Sequence, residues 1–273
     1  MIAASDEYMG KQHSILNGDI IFDGLAERFA SKIYGSKKGD LRLALLWEDL
    51  QHHIPPLSTA KGLDVLDAGG GLGQMSIRVA REGHQVLLCE PSSEMMSKAS
   101  IAITESGIPD NVVTLAQCPL QAIPAQFPDR QFDMVICHAV LEWLAAPLPT
   151  LGMLLPLVKP GGFLSLAFYN VESIVWKNLL KGNFRKVSER RFAGETGGLT
   201  PPNPQSANSI LPWLTQQDFE ILNTSGIRCV SDYLYPSANV SAEALLDMER
   251  ELGQREPYKW LGRYIHVIAR REC

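Results

Sequence analysis

The stretch from Leu63 to Glu90 constrains the fold more than any other part of the chain. It reads Leu63-Asp64-Val65-Leu66-Asp67-Ala68-Gly69-Gly70-Gly71-Leu72-Gly73-Gln74, runs on helix-like to Arg81, and resumes as Gln85-Val86-Leu87-Leu88-Cys89-Glu90. An apolar run of strand length, a glycine cluster, an amphipathic segment and a second apolar run ending in an acid make one β-loop-α-β unit. In a parallel α/β sheet such a unit puts the loop and the acid at the carboxyl ends of neighbouring strands, where nucleosides bind. Glycine lets backbone come close to a ligand, and a helix N-terminus begins just past the loop.

The alternation continues beyond it. Ser92-Ser93-Glu94 opens a helix to about Ser106, with the hydroxyls and the acid that a first turn favours. Strands are expected at Val112–Gln117, Phe132–His138 and Gly162–Tyr169, with a helix around Leu148–Val158 and a turn at Lys159-Pro160-Gly161-Gly162. Strands alternating with helices predict right-handed crossovers and a parallel, doubly wound sheet. Helices are then expected at Val171–Asn183, near Thr215–Asn223 and at Ala242–Gly253. Two β-rich runs, Ile227–Tyr235 and Arg263–Arg270, are read as antiparallel strands closing the sheet. On the N-terminal side, residues 1–20 lack periodicity and read as a flexible lead-in. A helix over 23–34 places Leu25, Phe29 and Ile33 on one stripe, Lys37 to Arg42 is a basic turn, and Leu43–Leu50 is helical.

Hydrophobic residues make up 45% of the 273, enough for a sizeable core, and the formal charge is −5. That balance argues against a uniformly basic coat and leaves room for local patches. Two stand out: residues 28–42 carry five basic residues against one acid, and residues 177–191 carry six against one. The five cysteines are scattered with no CxxC or Cys/His pairing, so no metal is expected. The N-terminus lacks the pattern of a signal peptide and no apolar run reaches about 18 residues, so a cytoplasmic protein with no membrane association is expected.

A glycine loop alone suits NAD, FAD or S-adenosylmethionine. Three details favour the last. Asp67 lies two residues before the glycines, where a carboxylate suits a cationic amino-acid tail and would repel a pyrophosphate. The spacing Gly69, Gly71, Gly73, with Gly70 added, departs from GxGxxG. Glu90, 19 residues after Gly71, can accept both ribose hydroxyls. His138, at the end of the fourth strand in Phe132-Asp133-Met134-Val135-Ile136-Cys137-His138, would emerge beside the sulfonium.

These three segments resemble class I S-adenosylmethionine-dependent methyltransferases over about residues 60–170. The resemblance implies a Rossmann-like α/β fold: a mainly parallel seven-stranded sheet with helices on both faces and an N-terminal helical extension. More narrowly, FDGLAERFASKIYGSKKGDLR, LDAGGGLGQ, CHAVLEWL, LSLAFYN, KNLLKGNF and EPYKWLGRYIHVIAR are similar to the CmoM family of bacterial tRNA 5-carboxymethoxyuridine methyltransferases. That similarity spans Phe22 to Arg270. It implies one methyltransferase domain over 21–273, made of a helical cap (22–56), a donor-binding core (60–170), a basic substrate-side helix and loop (171–210) and a C-terminal part (211–273).

The resemblance implies methylation of the carboxylate of 5-carboxymethoxyuridine at the tRNA wobble position, giving the methyl ester. By matching motif positions it places donor contacts on Arg42, Gly69, Gly70, Glu90, Leu120, Gln121 and His138, beside Asp67 and Gly71 from the loop itself. Glu90 stands where aspartate is the commoner residue and keeps the acceptor role. A carboxylate is already an anion, so displacement at a sulfonium needs alignment and exclusion of water rather than a general base. Arg263, Tyr264, Tyr34 and Tyr169 are the candidates to hold that carboxylate. The two basic segments, with Trp176, Phe184 and Phe192, would suit an anticodon loop's phosphates and splayed bases. Two rivals stay open: a methyltransferase for a small metabolite such as a quinone precursor or fatty acid, and a non-catalytic donor-binding partner of a tRNA-modifying enzyme.

Overall fold

The computed structural model describes residues 14–31, 35–193 and 199–273. The chain opens with a hairpin, β1 (Ser14–Leu16) and β2 (Asp19–Ile21), then α1 (Ala26–Phe29), α2 (Lys37–His53) and α3 (Pro56–Thr59). The unit around the glycines follows: β3 (Asp64–Ala68), α4 (Gln74–Arg81), β4 (Gln85–Cys89), α5 (Ser93–Glu105) and β5 (Val113–Ala116). Next come α6 (Ile123–Gln126), β6 (Phe132–His138), α7 (Pro147–Leu154) and β7 (Val158–Tyr169). The last part holds α8 (Val171–Leu180), α9 (Phe184–Ser188), α10 (Ala207–Thr215), β8 (Phe219–Ile227), α11 (Ala242–Gln254) and β9 (Tyr264–Arg271).

The main sheet has seven strands in the order β5-β4-β3-β6-β7-β9-β8. The first five are parallel, and β9 pairs antiparallel with both β7 and β8. Strands buried on both faces need an unbroken apolar run, because successive side chains point to opposite sides. Val65, Met134 and Ile136 join one core with α2, α4 and α5, while Leu66, Val135 and Cys137 join the other with α7 and α10. Between β3 and β6 the order of strands reverses, and the carboxyl edge there opens into a crevice. Among the described residues no helix is long and apolar enough to cross a membrane.

Four local expectations change. Residues 14–21 form the hairpin rather than a lead-in, while residues 1–13 lie outside the described residues. Lys37 to Arg42 is the first part of α2, capped by the Ser36 hydroxyl, which accepts from Gly39 N at 3.1 Å. The Pro160-Gly161-Gly162 segment lies inside β7, where Gly161 takes φ +73 and a register shift absorbs the irregularity. The late elements shift by several residues: the helix is Ala207–Thr215 and the strand Phe219–Ile227, where a helix to Asn223 and a strand to Tyr235 were expected. Pairing along β9 over nearly its whole length decides that register.

Candidate active site

After β3 the chain crosses the carboxyl edge through Gly69, Gly71 and Gly73, at φ +78, +56 and +79. A side chain is excluded as well as strained there. A Cβ on Gly69 would come within 2.5 Å of Val140, and one on Gly70 within 2.6 Å of Leu88 and 2.9 Å of Asp67 Oδ2. The loop folds onto the end of β4: Gly69 N and Gly70 N donate to Cys89 O at 2.8 and 3.1 Å, and Gly71 N donates to Glu90 Oε2 at 3.2 Å. Glu90 Oε1 accepts from Ser92 N at 3.0 Å. Each carboxylate oxygen thus has one fixed donor and spare lone pairs, which suits two adjacent hydroxyls. Asp67 Oδ2 accepts from the Ser76 hydroxyl at 2.6 Å. Burial pushes Asp67 up to about 6 and Glu90 up to about 7. Among the described residues neither carboxyl forms a salt bridge, so a cationic, hydroxyl-bearing ligand relieves both.

Two clefts meet over this loop. One, of about 680 Å³, is lined by Gly71, Glu90, Leu120 and Gln121. The other, of about 490 Å³, is lined by Arg42, Asp67, Gly70 and Tyr264. Gly69 and His138 belong to both. All nine residues expected around the donor therefore line one connected site. Its two halves match a nucleoside end and an amino-acid end: hydroxyl acceptors and apolar walls on one side, Arg42 opposite Asp67 on the other. S-adenosylmethionine fits the glycine cradle and these carboxyls.

The hairpin is the part that sequence reasoning missed. Leu16, Asp19, Ile20 and Ile21 wall the nucleoside cleft. Asp19 pins the hairpin there, accepting from Gln121 Nε2 at 2.7 Å and from Ala145 N at 2.8 Å. Asn17-Gly18, with φ +54 and +90, was the available signal, since a two-residue turn with both φ positive is what a tight hairpin needs.

His138 leans on a buried polar chain rather than standing alone. Its Nε2 lies 2.7 Å from Ser165 Oγ, which lies 2.8 Å from His266 Nε2, and His266 Nδ1 lies 2.9 Å from Asp49 Oδ2. Asp49 also accepts from the Ser225 hydroxyl and from Gln254 Nε2. Burial, then His266 and Arg42 nearby, hold His138 well below its ordinary value, so it is a neutral ring. With Asp49 as acceptor, His266 Nδ1 donates to it, and Ser165 Oγ bridges the Nε2 atoms of the two rings. Asp49 stays below its ordinary value although burial raises it, because His266 and Ser225 donate to it.

On the far side of Tyr264 lies a cationic cleft of about 950 Å³, lined by Lys177, Lys181, Lys186, Arg228, Arg263 and Phe192 among others. Its anchor is Asp232, whose side chain is 2% exposed. Lys38 reaches it at 2.7 Å, Arg228 at 2.6 Å and Arg263 Nε at 2.8 Å. Burial alone would raise Asp232, but Arg228 and Arg263 hold it well below the usual carboxylate range. Arg263 Nη1 donates to the Tyr169 hydroxyl at 2.5 Å, and Arg42 Nη1 donates to the Tyr264 hydroxyl at 3.3 Å. Of the four carboxylate-holding candidates, Arg263, Tyr169 and Tyr264 therefore come together; Tyr34 lies outside the described residues. In the basic segment at 28–42, Lys38 pairs with Asp232 and Arg42 is buried at the donor cleft, while Arg28 and Lys37 are exposed and Lys32 lies outside the described residues. Trp176 and Phe184 are exposed, at 39% and 66%.

Comparison with known proteins agrees with this geometry. A family model described as a methyltransferase domain matches residues 66–166. The tRNA 5-carboxymethoxyuridine methyltransferase of Escherichia coli (strain K12) is 39% identical over 252 residues, covering 92% of this chain and 95% of that protein. The ubiquinone biosynthesis O-methyltransferase of Proteus mirabilis is 32% identical but covers 51% of this chain and 62% of its own length. Among solved structures, magnesium protoporphyrin IX methyltransferase from Synechocystis PCC 6803 with bound SAH superposes with a TM-score of 0.61 at 18% identity, over 92% of this chain and 96% of that one. The last likeness shows the class I methyltransferase fold, whereas the Escherichia coli relative matches over nearly the whole length of both chains. The chain belongs to the family of tRNA 5-carboxymethoxyuridine methyltransferases.

Proposed function

We propose that the protein transfers a methyl group from S-adenosylmethionine to the carboxylate of 5-carboxymethoxyuridine at the wobble position of tRNA, forming the methyl ester. One observation carries the acceptor side of this reading. Three cations converge on the single carboxylate of Asp232, beside Lys177 and Lys181, within reach of the donor cleft through Tyr264. That surplus of positive charge calls for an anion, and the substrate brings a carboxylate with phosphates on either side.

When bound, the donor supplies an activated methyl on a sulfonium. Everything else is positioning. Glu90 takes ribose hydroxyls, and Arg42 and Asp67 take the two charges of the amino-acid end. His138 is held by Ser165 at the junction of the two halves. Arg263, oriented by Asp232 and Tyr169, holds the substrate carboxylate in a charge-assisted bond. The carboxylate arrives ionised at neutral pH, so no side chain has to accept a proton for the bond to form.

The test is incubation with labelled S-adenosylmethionine and tRNA carrying the carboxymethoxy group. Label should appear in an alkali-labile ester on that tRNA. Transfer to a small acid and none to the tRNA would favour a metabolite methyltransferase, and donor binding without any transfer would favour a non-catalytic partner.

A further inference from the structure

Glu142 is 1% exposed, and its Oε2 has no hydrogen-bond partner. It sits in a short 3-10 turn, Leu141–Trp143, just past the end of β6. The turn is held from outside: Asn203 N donates to Glu142 O at 3.1 Å, and Asn203 Nδ2 donates to Leu144 O at 3.1 Å. A buried oxygen without a partner is disfavoured unless a ligand completes it.

The space in front of Glu142 is a narrow slot of about 290 Å³ walled by Trp143, Tyr169, Tyr264, Leu199 and Pro201. Arg42 and Tyr264 are shared with the amino-acid cleft, and Tyr169 and Tyr264 with the cationic cleft. The slot therefore joins the place where the methyl arrives to the place where the anion is held. Its walls are flat and largely apolar, the surfaces on which a splayed base stacks. Among the described residues its one unsatisfied group is the Glu142 oxygen, which in the ionised carboxylate pairs with a donor and repels an acceptor.

Resting on the tRNA reading above, we propose that this slot receives the uracil ring of the acceptor nucleoside and that Glu142 Oε2 accepts the hydrogen bond from its N3–H. N3–H is the one donor on the uracil ring edge. Cytosine offers a lone pair at N3 and is turned away by the same oxygen. Glu142 is thus a specificity-determining residue: it reads the base, while Arg263 holds the carboxylate. Burial pushes the Glu142 carboxyl up to about 7, so a hydrogen-bond donor in the slot also favours its ionised form.

The experiment compares two anticodon stem-loops, one with 5-carboxymethoxyuridine and one with its 3-deaza counterpart, which replaces N3–H by C–H at equal size. Ester formation is measured with the wild type, Glu142→Ala and Glu142→Gln. The wild type should prefer the parent by about a hundredfold in kcat/KM, because the analogue leaves a buried polar group unpaired. Glu142→Ala should treat both alike, and Glu142→Gln, which keeps an acceptor oxygen, should recover part of the preference. A wild type indifferent to the deaza change, or a Glu142→Ala variant that slows both substrates equally and keeps the preference, overturns the assignment. The wild-type comparison stands even where Glu142→Ala fails to fold. No ester on the parent stem-loop would sink the tRNA reading and this inference together. Ester without preference would sink this inference alone.

Discussion

The donor half and the acceptor half of the cleft handle buried carboxyls in opposite ways. Around the glycine loop, Asp67 and Glu90 are buried with hydroxyl and backbone donors for company, and burial lifts both toward neutrality. Across Tyr264, Asp232 is equally buried but ringed by Lys38, Arg228 and Arg263, and is held strongly ionised. Each half is out of balance in the sense that the ligand proposed for it would correct. A site short of positive charge suits a donor that carries an ammonium and a sulfonium. A site with positive charge to spare suits a carboxylate flanked by phosphates. The sign of the imbalance separates the two halves more sharply than the clefts themselves, which run into one another.

The strongest way to break this division is Arg263→Ala. Asp232 keeps Lys38 and Arg228, so the fold retains its anchor, but the carboxylate loses its guanidinium. Transfer to modified tRNA should fall by roughly a hundredfold or more in kcat/KM, the scale of removing a buried charge-assisted partner. Affinity for S-adenosylmethionine, measured by calorimetry, should stay within about twofold on the same argument. A loss that falls on donor affinity instead would move Arg263 into the other half.

A smaller effect is expected at the outer edge of the cationic cleft. Reversing Lys181, Arg185 and Lys186 to Glu should weaken tRNA binding about tenfold or more at moderate salt and flatten its salt dependence, with donor affinity unchanged. Lys181 and Lys186 line the cleft, whereas Arg185 is already paired with Glu189 at 2.7 Å, so most of the effect should come from the two lysines. Unaltered tRNA affinity and salt dependence would leave this segment a solvated surface.

The two halves also differ in how far the sequence exposes them. The donor half is local: Asp67, the glycines and Glu90 fall within one βαβ unit, and burial on both faces of the sheet forces the long apolar runs that mark its strands. Spacing alone brings those groups together. The acceptor half is assembled from afar. Lys38, Tyr169, Asp232 and Arg263 come from four separated segments, and each by itself looks like an ordinary surface or strand residue. The chain behind His138 has the same character, with Asp49 from α2 meeting His266 of β9, which meets Ser165 of the antiparallel neighbour β7. β8 was misplaced for a related reason. Phe219-Glu220-Ile221-Leu222-Asn223-Thr224-Ser225-Gly226 is weakly patterned, and its pairing with β9 supplies the register its own side chains do not.

The finest test of the comparison is the pH behaviour of Asp67. Its carboxyl sits at about 6 against an ordinary 3.8 because it is buried, and an ammonium beside it favours the ionised form. The share of donor affinity that Asp67 supplies should therefore be full above about pH 7 and weaken as pH falls through 6, by about tenfold between pH 7 and pH 5. Asp67→Asn should lower affinity at pH 7.5 by about that factor and remove that share of the pH dependence, leaving the share that Glu90 contributes from about 7. Stability runs the other way. A carboxyl raised above its unfolded value costs stability at neutral pH and regains it as pH falls through the folded value, here on the order of 2–3 kcal/mol at most. The donor-free Asp67→Asn variant should then melt higher than the wild type at pH 7.5, since the amide oxygen can still accept from Ser76, and the gap should close toward pH 4. A variant that binds the donor as well as the wild type, or melts lower at pH 7.5, would show that Asp67 is already compensated within the fold and does not wait for a cation.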